Sequence, residues 1–132
     1  MDGYLLFVHA KDTDSIVIPL TGHLGSKGID CITHKQKLRL ARLGSTIIHE
    51  LEDMVMSAKA VIVVASYGLL DDFHAELLID YASTHGNLIS VIPQNFGQVT
   101  MPPSFYNGLF LLNMDADPAI FAEHLIAKVE KI

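Results

Sequence analysis

The sequence predicts an α/β fold: a flavodoxin-like three-layer sandwich, with a five-stranded parallel sheet of order 2-1-3-4-5 and helices on both faces. Two observations carry this. Nearly continuous apolar runs of strand length recur along the chain, as suits strands buried on both faces. Amphipathic helical stretches lie between them, and repeated strand–helix alternation means parallel strands joined by right-handed crossovers.

Each element has its own local reason. Tyr4–Val8 is the first apolar run. Val17, Leu20 and Leu24 then fall on one helical face, with Pro19 close to the helix start, where a missing N–H costs least, and Gly25 to Gly28 as the stop. Ile29–Thr33 alternates weakly, as an edge strand does. Ser45 can cap the second helix, whose Ile47, Ile48, Leu51, Met54, Val55 and Ala58 form an apolar stripe. Ala60–Ala65 is the third strand. A third helix from about Asp71 to Ser83 is expected to turn Phe73, Leu77, Leu78 and Tyr81 inward and to end at Gly86. Leu88–Ile92 is the fourth strand. Gln94 to Gly108, with Pro102-Pro103, reads as a loop with room for one short helix. Leu109–Leu112 is the fifth strand, and Asp117-Pro118 opens a final helix carrying Phe121, Leu125 and Val129, with Lys128 and Lys131 near its negative end.

Composition bounds the function. The 132 residues suffice for one domain and one core, and 50% hydrophobic residues with 18% charged exclude a disordered tail. No stretch reaches the roughly 20 uninterrupted apolar residues of a membrane span. Met1-Asp2-Gly3 lacks the layout of a secretory signal, so the cytoplasm is the expected compartment. The single cysteine, Cys31, makes no intramolecular disulfide and suits a reducing environment. Lys plus Arg number 9 against 15 Asp plus Glu, a net charge of -6, which argues against nucleic-acid binding as the main task.

In open parallel sheets, ligands bind beyond the carboxyl ends of the strands, at the switch between strands 1 and 3. The candidate walls there are His9, Ala10, Lys11 and Asp12 after strand 1, and Ser66, Tyr67 and Gly68 after strand 3. Several occupants of this architecture fail on their chemistry. A phospho-acceptor receiver needs an acidic pair after strand 1, Asp ending strand 3 and Lys ending strand 5, where this chain has His9-Ala10, Ser66 and Asn113-Met114. A flavin or phosphate cradle needs a Gly- or Ser/Thr-rich first loop, which Val8-His9-Ala10-Lys11 is not. A cysteine phosphatase needs its thiolate at a helix N-terminus, while Cys31 lies in strand 2. The seven histidines are scattered without metal-ligand spacing, so no metal site is expected.

In the third helix, Asp72, Glu76 and Asp80 recur every four residues and line one face. Like charges so spaced cost roughly 0.2–0.5 kcal/mol per pair. Two readings follow: a solvated acidic face, or a carboxylate held at a ligand cleft with Phe73 as an apolar wall.

The order of these segments resembles a TIR domain, the Toll/interleukin-1 receptor and resistance-protein fold, over nearly the whole chain. Tyr4-Leu5-Leu6-Phe7-Val8-His9-Ala10-Lys11-Asp12 is similar to that family's first strand and loop. Pro19-Leu20 stands in the first helix, Gly44-Ser45-Thr46-Ile47 at the entry to the second, and Ala60–Ser66 at the third strand with its terminal serine. Ile92-Pro93 with Met101-Pro102-Pro103 is similar to a segment of bacterial, NAD+-cleaving members. The resemblance implies one domain over residues 1–132, a module of a larger immune-type protein that acts when domains stack. It also implies NAD+ as a substrate rather than a bound cofactor, and a helix-borne catalytic glutamate, which here is Glu76. The family's usual Trp has no counterpart, since the chain contains none; Phe73 is the aromatic nearest before Glu76.

That chemistry needs few groups. Nicotinamide leaves a cationic pyridinium as a neutral molecule, so no general acid is required, in contrast to ordinary glycoside hydrolysis. A single carboxylate stabilises the positive charge that develops on the ribose. In this reading Lys11, with Lys37, Arg39 and Arg42 of the basic segment after strand 2, meets the pyrophosphate. The same segment, His34 to Leu43, is alternatively a surface for TIR–TIR contacts. Ser66 and Tyr67 either line the pocket or cap the third helix. The expected function is NAD+ nucleosidase (hydrolase or cyclase) activity in immune-type signalling or defence. The alternatives are a non-catalytic TIR module that recruits other TIR domains, and a deoxyribosyltransferase-like enzyme that also sets a Glu near a sugar.

Overall fold

The computed structural model describes residues 3–39, 47–94 and 99–132. Its sheet has the predicted order, β2-β1-β3-β4-β5, with β1 at Tyr4–Val8, β2 at Cys31–Thr33, β3 at Ala58–Val64, β4 at Leu88–Pro93 and β5 at Phe110–Met114. Every pairing is parallel. The period-2 alternation of each strand sorts its side chains between two cores. Leu6, Val8, Val61 and Val63 enter one, and Leu5, Phe7, Ile62 and Val64 enter the other. The helices α1 (Asp14–Ser26) and α6 (Pro118–Val129) cover the second core. The first is covered by α3 (Ile47–Ser57) and α5 (Phe73–His85), with the shorter α2 (His34–Arg39) and α4 (Tyr67–Leu70).

Several boundaries differ from the sequence expectation. Pro19 is the sixth residue of α1, because a 3-10 turn over Lys11–Thr13 precedes that helix and lets it begin at Asp14. Pro19 and Ser15 are both exposed, so water can serve the carbonyl that the proline leaves unpaired. Ala58 belongs to β3 and not to the stripe of α3, in which Leu51, Met54 and Val55 are buried while Ile47 and Ile48 are exposed. The cap expected of Ser45 lies outside the described residues. The loop before β5 does hold a short helical turn, Pro103–Asn107.

The largest differences concern the two segments that follow β2 and β3. The basic segment after β2 begins as a helix, α2, since Thr33 and Gln36 form a reciprocal capping box. Gln36 N–H donates to Thr33 Oγ1 at 3.2 Å, and Thr33 N–H donates to Gln36 Oε1 at 3.0 Å. The predicted third helix is α5, and a separate short helix, α4, precedes it. Asp72 stands at the N-cap of α5 and accepts from Ala75 N–H at 3.1 Å, which takes it off the acidic face formed by Glu76 and Asp80. The buried face of α5 is Ala75, Leu78, Ile79 and Ala82, with Leu77 and Tyr81 half-buried, whereas Phe73, expected inward, is 66% exposed. Gly86 closes α5 at φ 87°, the left-handed conformation that glycine adopts without penalty, and its N–H donates to Ala82 O at 2.9 Å.

Candidate functional site

The carboxyl ends of β1 and β3 meet at the switch point, as the strand order requires, but the crevice between them is bridged. Asp12 Oδ2 accepts from Gly68 N–H at 3.0 Å. A Cβ at Gly68 would stand 2.9 Å from Asp12 Oδ1 and 3.0 Å from Ala10 Cβ, so any other residue there would push the two loops apart or turn the Asp12 carboxylate aside. Ser66 is buried, and its hydroxyl accepts from Leu69 N–H at 3.2 Å, so it caps α4. Tyr67, beside it, is 61% exposed.

The open concavity is displaced by one strand, to the carboxyl ends of β1 and β2. It encloses about 340 Å³. His9 and Lys11 contribute from the loop after β1, and Asp14 and Ile18 from the first turns of α1. Thr33, Lys35, Gln36 and Arg39 contribute from β2 and α2. The sequence analysis placed His9, Lys11 and Arg39 among the binding residues, and the fold gathers these three. Lys37 is directed elsewhere: its ammonium lies 4.9 Å from the centre of the Tyr4 ring, where the cation meets the negative face of the aromatic. Arg42, like residues 40–43 of the proposed contact segment, lies outside the described residues. Lys35 takes the place in the concavity that Lys37 was expected to fill. On a helix Lys35 and Arg39 are neighbours on one face and Lys37 is not, and the capping signal of Thr33 and Gln36 marks that helix in the sequence.

The loop after β1 is held firmly. Thr13 is fully buried, and both its hydroxyl and its N–H donate to Ala10 O, at 3.0 and 3.1 Å. The His9 side chain is 11% exposed. Its Nδ1 lies 3.1 Å from Ala10 O, which makes Nδ1–H the donor of the neutral ring, and 3.5 Å from Asp14 Oδ1. Burial pushes the His9 imidazole below its ordinary range. The Ala10 carbonyl and Asp14 oppose that shift, and His34 and Lys35 add to it.

A second feature ties this region to α5. His34, the first residue of α2, is 0% exposed, and its Nε2 lies 2.9 Å from Asp72 Oδ2. Asp72 therefore divides its two oxygens between the cap of α5 and the imidazole of α2. Burial pushes the Asp72 carboxyl up. The His34 and Ala75 hydrogen bonds outweigh this and hold it below the usual carboxylate range. Among the described residues, Nδ1 of His34 is buried without a hydrogen-bond partner. The sequence reading treated His34 only as part of a contact surface; its buried role depends on a pairing across 38 positions of chain, for which no local pattern exists.

Glu76 is exposed in the first turn of α5. It shares a helix face with Phe73, three residues earlier. Tyr67, Leu70 (40% exposed) and Phe73 leave an apolar surface over α4 and the start of α5. Glu76 does not line the concavity beyond β1 and β2. Among the described residues no group of three His, Cys, Asp or Glu is placed to hold a metal ion, and no helix is long and apolar enough to cross a membrane.

No protein-family model matches the sequence, and no curated protein matches it. Among solved structures, the chain is similar to the TIR domains of the activated Roq1 resistosome, an assembly directly recognizing the pathogen effector XopQ. The TM-score is 0.54 at 18% identity, over 70% of this chain and 58% of that chain. The likeness is one of fold.

Proposed function

We propose that this chain is a TIR-type domain of a cytoplasmic immune or defence signalling protein, and that in an assembled state it cleaves NAD+ and releases nicotinamide. The observation that carries the reading is the gathering of Lys11 and Arg39, with Lys35 and His9, into one concavity at the carboxyl end of the sheet. Two phosphates of a dinucleotide suit such a set of cations, and a volume of a few hundred Å³ is the ordinary size of a small-molecule site. The likeness of fold to the TIR domains of a resistosome supports the immune assignment.

In this reading Glu76 stabilises the positive charge that develops on the ribose, while nicotinamide departs without a proton donor. A carboxylate does this well only where water is excluded, and Glu76 is exposed in the single chain. The cleft is therefore completed by a neighbouring copy laid over α4 and the start of α5. The test is incubation of concentrated or artificially clustered protein with NAD+, following nicotinamide and ADP-ribose products by chromatography, beside Glu76→Gln. Turnover in the clustered protein that is lost in Glu76→Gln, with the melting temperature unchanged, is the expected result. Unchanged turnover in the variant removes Glu76 from the chemistry. Nucleosides and 2′-deoxynucleosides in the same assay address a nucleoside-processing activity.

The exposed trio Tyr67, Leu70 and Phe73 favours a second reading, a non-catalytic module that joins other TIR domains. Absence of turnover in every clustered form, together with self-association that Phe73→Ser weakens, selects it.

A further inference from the structure

We propose that the concavity between the carboxyl ends of β1 and β2 binds a doubly charged phosphate-type anion, and that its occupation takes up a proton at His9. The inference rests on the functional reading above and adds to it a proton-linked member of the site.

Three permanent cations converge there from two elements. Lys11 comes from the 3-10 turn after β1, and Lys35 and Arg39 from one face of α2. The chain as a whole carries a net charge of -6, so this cluster is a local reversal of sign, the arrangement that draws an anion to one place. One group opposes an anion. Asp14 lines the same concavity with its carboxylate. His9 Nδ1 stands 3.5 Å from Asp14 Oδ1 in the same concavity as the cations. With Nδ1–H committed to Ala10 O, the second proton enters at Nε2. An imidazolium there offsets the Asp14 carboxylate, so that the net positive charge of the concavity rises by one.

Within the chain itself several forces hold the ring neutral. His9 is nearly buried, and Lys35 and His34 of α2 repel a proton. Asp14 of α1 and the Ala10 carbonyl attract one without prevailing. Lys11 and Arg39 complete the charged groups of the concavity. A dianion seated among Lys11, Lys35 and Arg39 offsets the Lys35 repulsion and adds its own attraction for a proton at His9, against the cost of burial. Binding and protonation then favour each other, and reciprocity makes the affinity rise as pH falls, by up to about tenfold per pH unit for one proton.

The probe is sulfate, a tetrahedral anion whose charge stays constant between about pH 5 and 8, the range in which histidine titrates. It is titrated at constant ionic strength into the isotope-labelled chain, with amide and imidazole resonances followed by NMR. We expect saturable shifts at His9, Lys11, Lys35 and Arg39, tighter binding at the lower pH, and an upward displacement of the His9 titration when sulfate is present. Lys35→Met and Arg39→Met weaken binding at every pH. His9→Gln loses the pH dependence, its affinity at the lower pH falling below that of the unsubstituted chain. If His9→Gln does not fold, displacement of the His9 titration in the unsubstituted chain decides the matter. Shifts elsewhere on the surface, an affinity independent of pH, or a His9 titration that sulfate leaves in place overturns the inference.

ADP-ribose and NAD+ compete with sulfate if the natural ligand is a dinucleotide diphosphate, and nicotinamide riboside, which has no phosphate, does not. Failure of competition by both overturns the dinucleotide source. Proton-linked sulfate binding without NAD+ turnover defeats the functional reading alone. Turnover without sulfate shifts at these residues defeats the inference alone.

Discussion

Asp72→Ala is the substitution whose cost can be worked out most fully. It removes both carboxylate oxygens, one capping α5 through Ala75 N–H and one bonded to His34 Nε2. Loss of an N-cap of this type costs about 1 kcal/mol. His34 Nε2 would then lose its partner in a fully buried side chain, and a buried polar group stranded in this way costs about 1–3 kcal/mol. The two together come to about 2–4 kcal/mol, which for a chain of this size lowers the melting temperature by about 5–15 °C. Asp72→Ser retains an oxygen for the cap and loses only the His34 contribution. Asp72→Asn retains the cap and offers His34 an amide, and should cost about 1 kcal/mol or less. The assay is urea unfolding followed by far-ultraviolet circular dichroism, since the chain has no Trp. The Asp72 carboxyl sits below its usual range, so its contribution is complete above that range and disappears as pH falls through the folded-state value. The acid limb of stability should therefore flatten in Asp72→Ala. A loss below about 0.5 kcal/mol, the range of an ordinary surface change, refutes the reasoning, and so does an Asp72→Ser variant as unstable as Asp72→Ala.

Three further outcomes are expected. Gly68→Ala forces a methyl to within 3.0 Å of Ala10 Cβ and 2.9 Å of Asp12 Oδ1; it should cost about 1–3 kcal/mol in the same unfolding assay. His9 is held neutral by burial, so the unfolded chain takes up its proton first as pH falls. Stability should decline from about pH 6.5 down to the folded-state value, and thermal melts of His9→Gln should lack that step. Burial, with the charge of Asp30 beside it, pushes the Cys31 thiol up to about 11. Iodoacetamide should therefore label the folded chain slowly at neutral pH and label it far faster in urea, as mass spectrometry would show.

Apolar periodicity was enough to determine the sheet. Runs such as Leu5–Val8 and Ala60–Val64 are buried on both faces, and such runs alternating with helical stripes admit little besides a doubly wound parallel sheet. The strand order then pointed to the carboxyl end of the sheet as the candidate site, and His9, Lys11 and Arg39 were legible there because they follow β1 and β2 directly. The Thr33-x-x-Gln36 capping box was also present in the sequence, and with it the separation of Lys35 and Arg39 from Lys37.

Tertiary structure alone decided which part of that end is open. The bond from Asp12 to Gly68 bridges the β1–β3 crevice, and the concavity moves to β1 and β2; this depends on two loops 56 positions apart meeting at van der Waals distance. The withdrawal of Asp72 from the acidic face of α5 has the same origin. An Asp at four-residue spacing from Glu76 continues a helical pattern on paper, but a buried imidazole from α2 recruits one of its oxygens and the first turn of α5 takes the other. Periodicity is a local property of the chain. The partners that redirect a polar side chain are set by long-range packing, which no window of sequence contains.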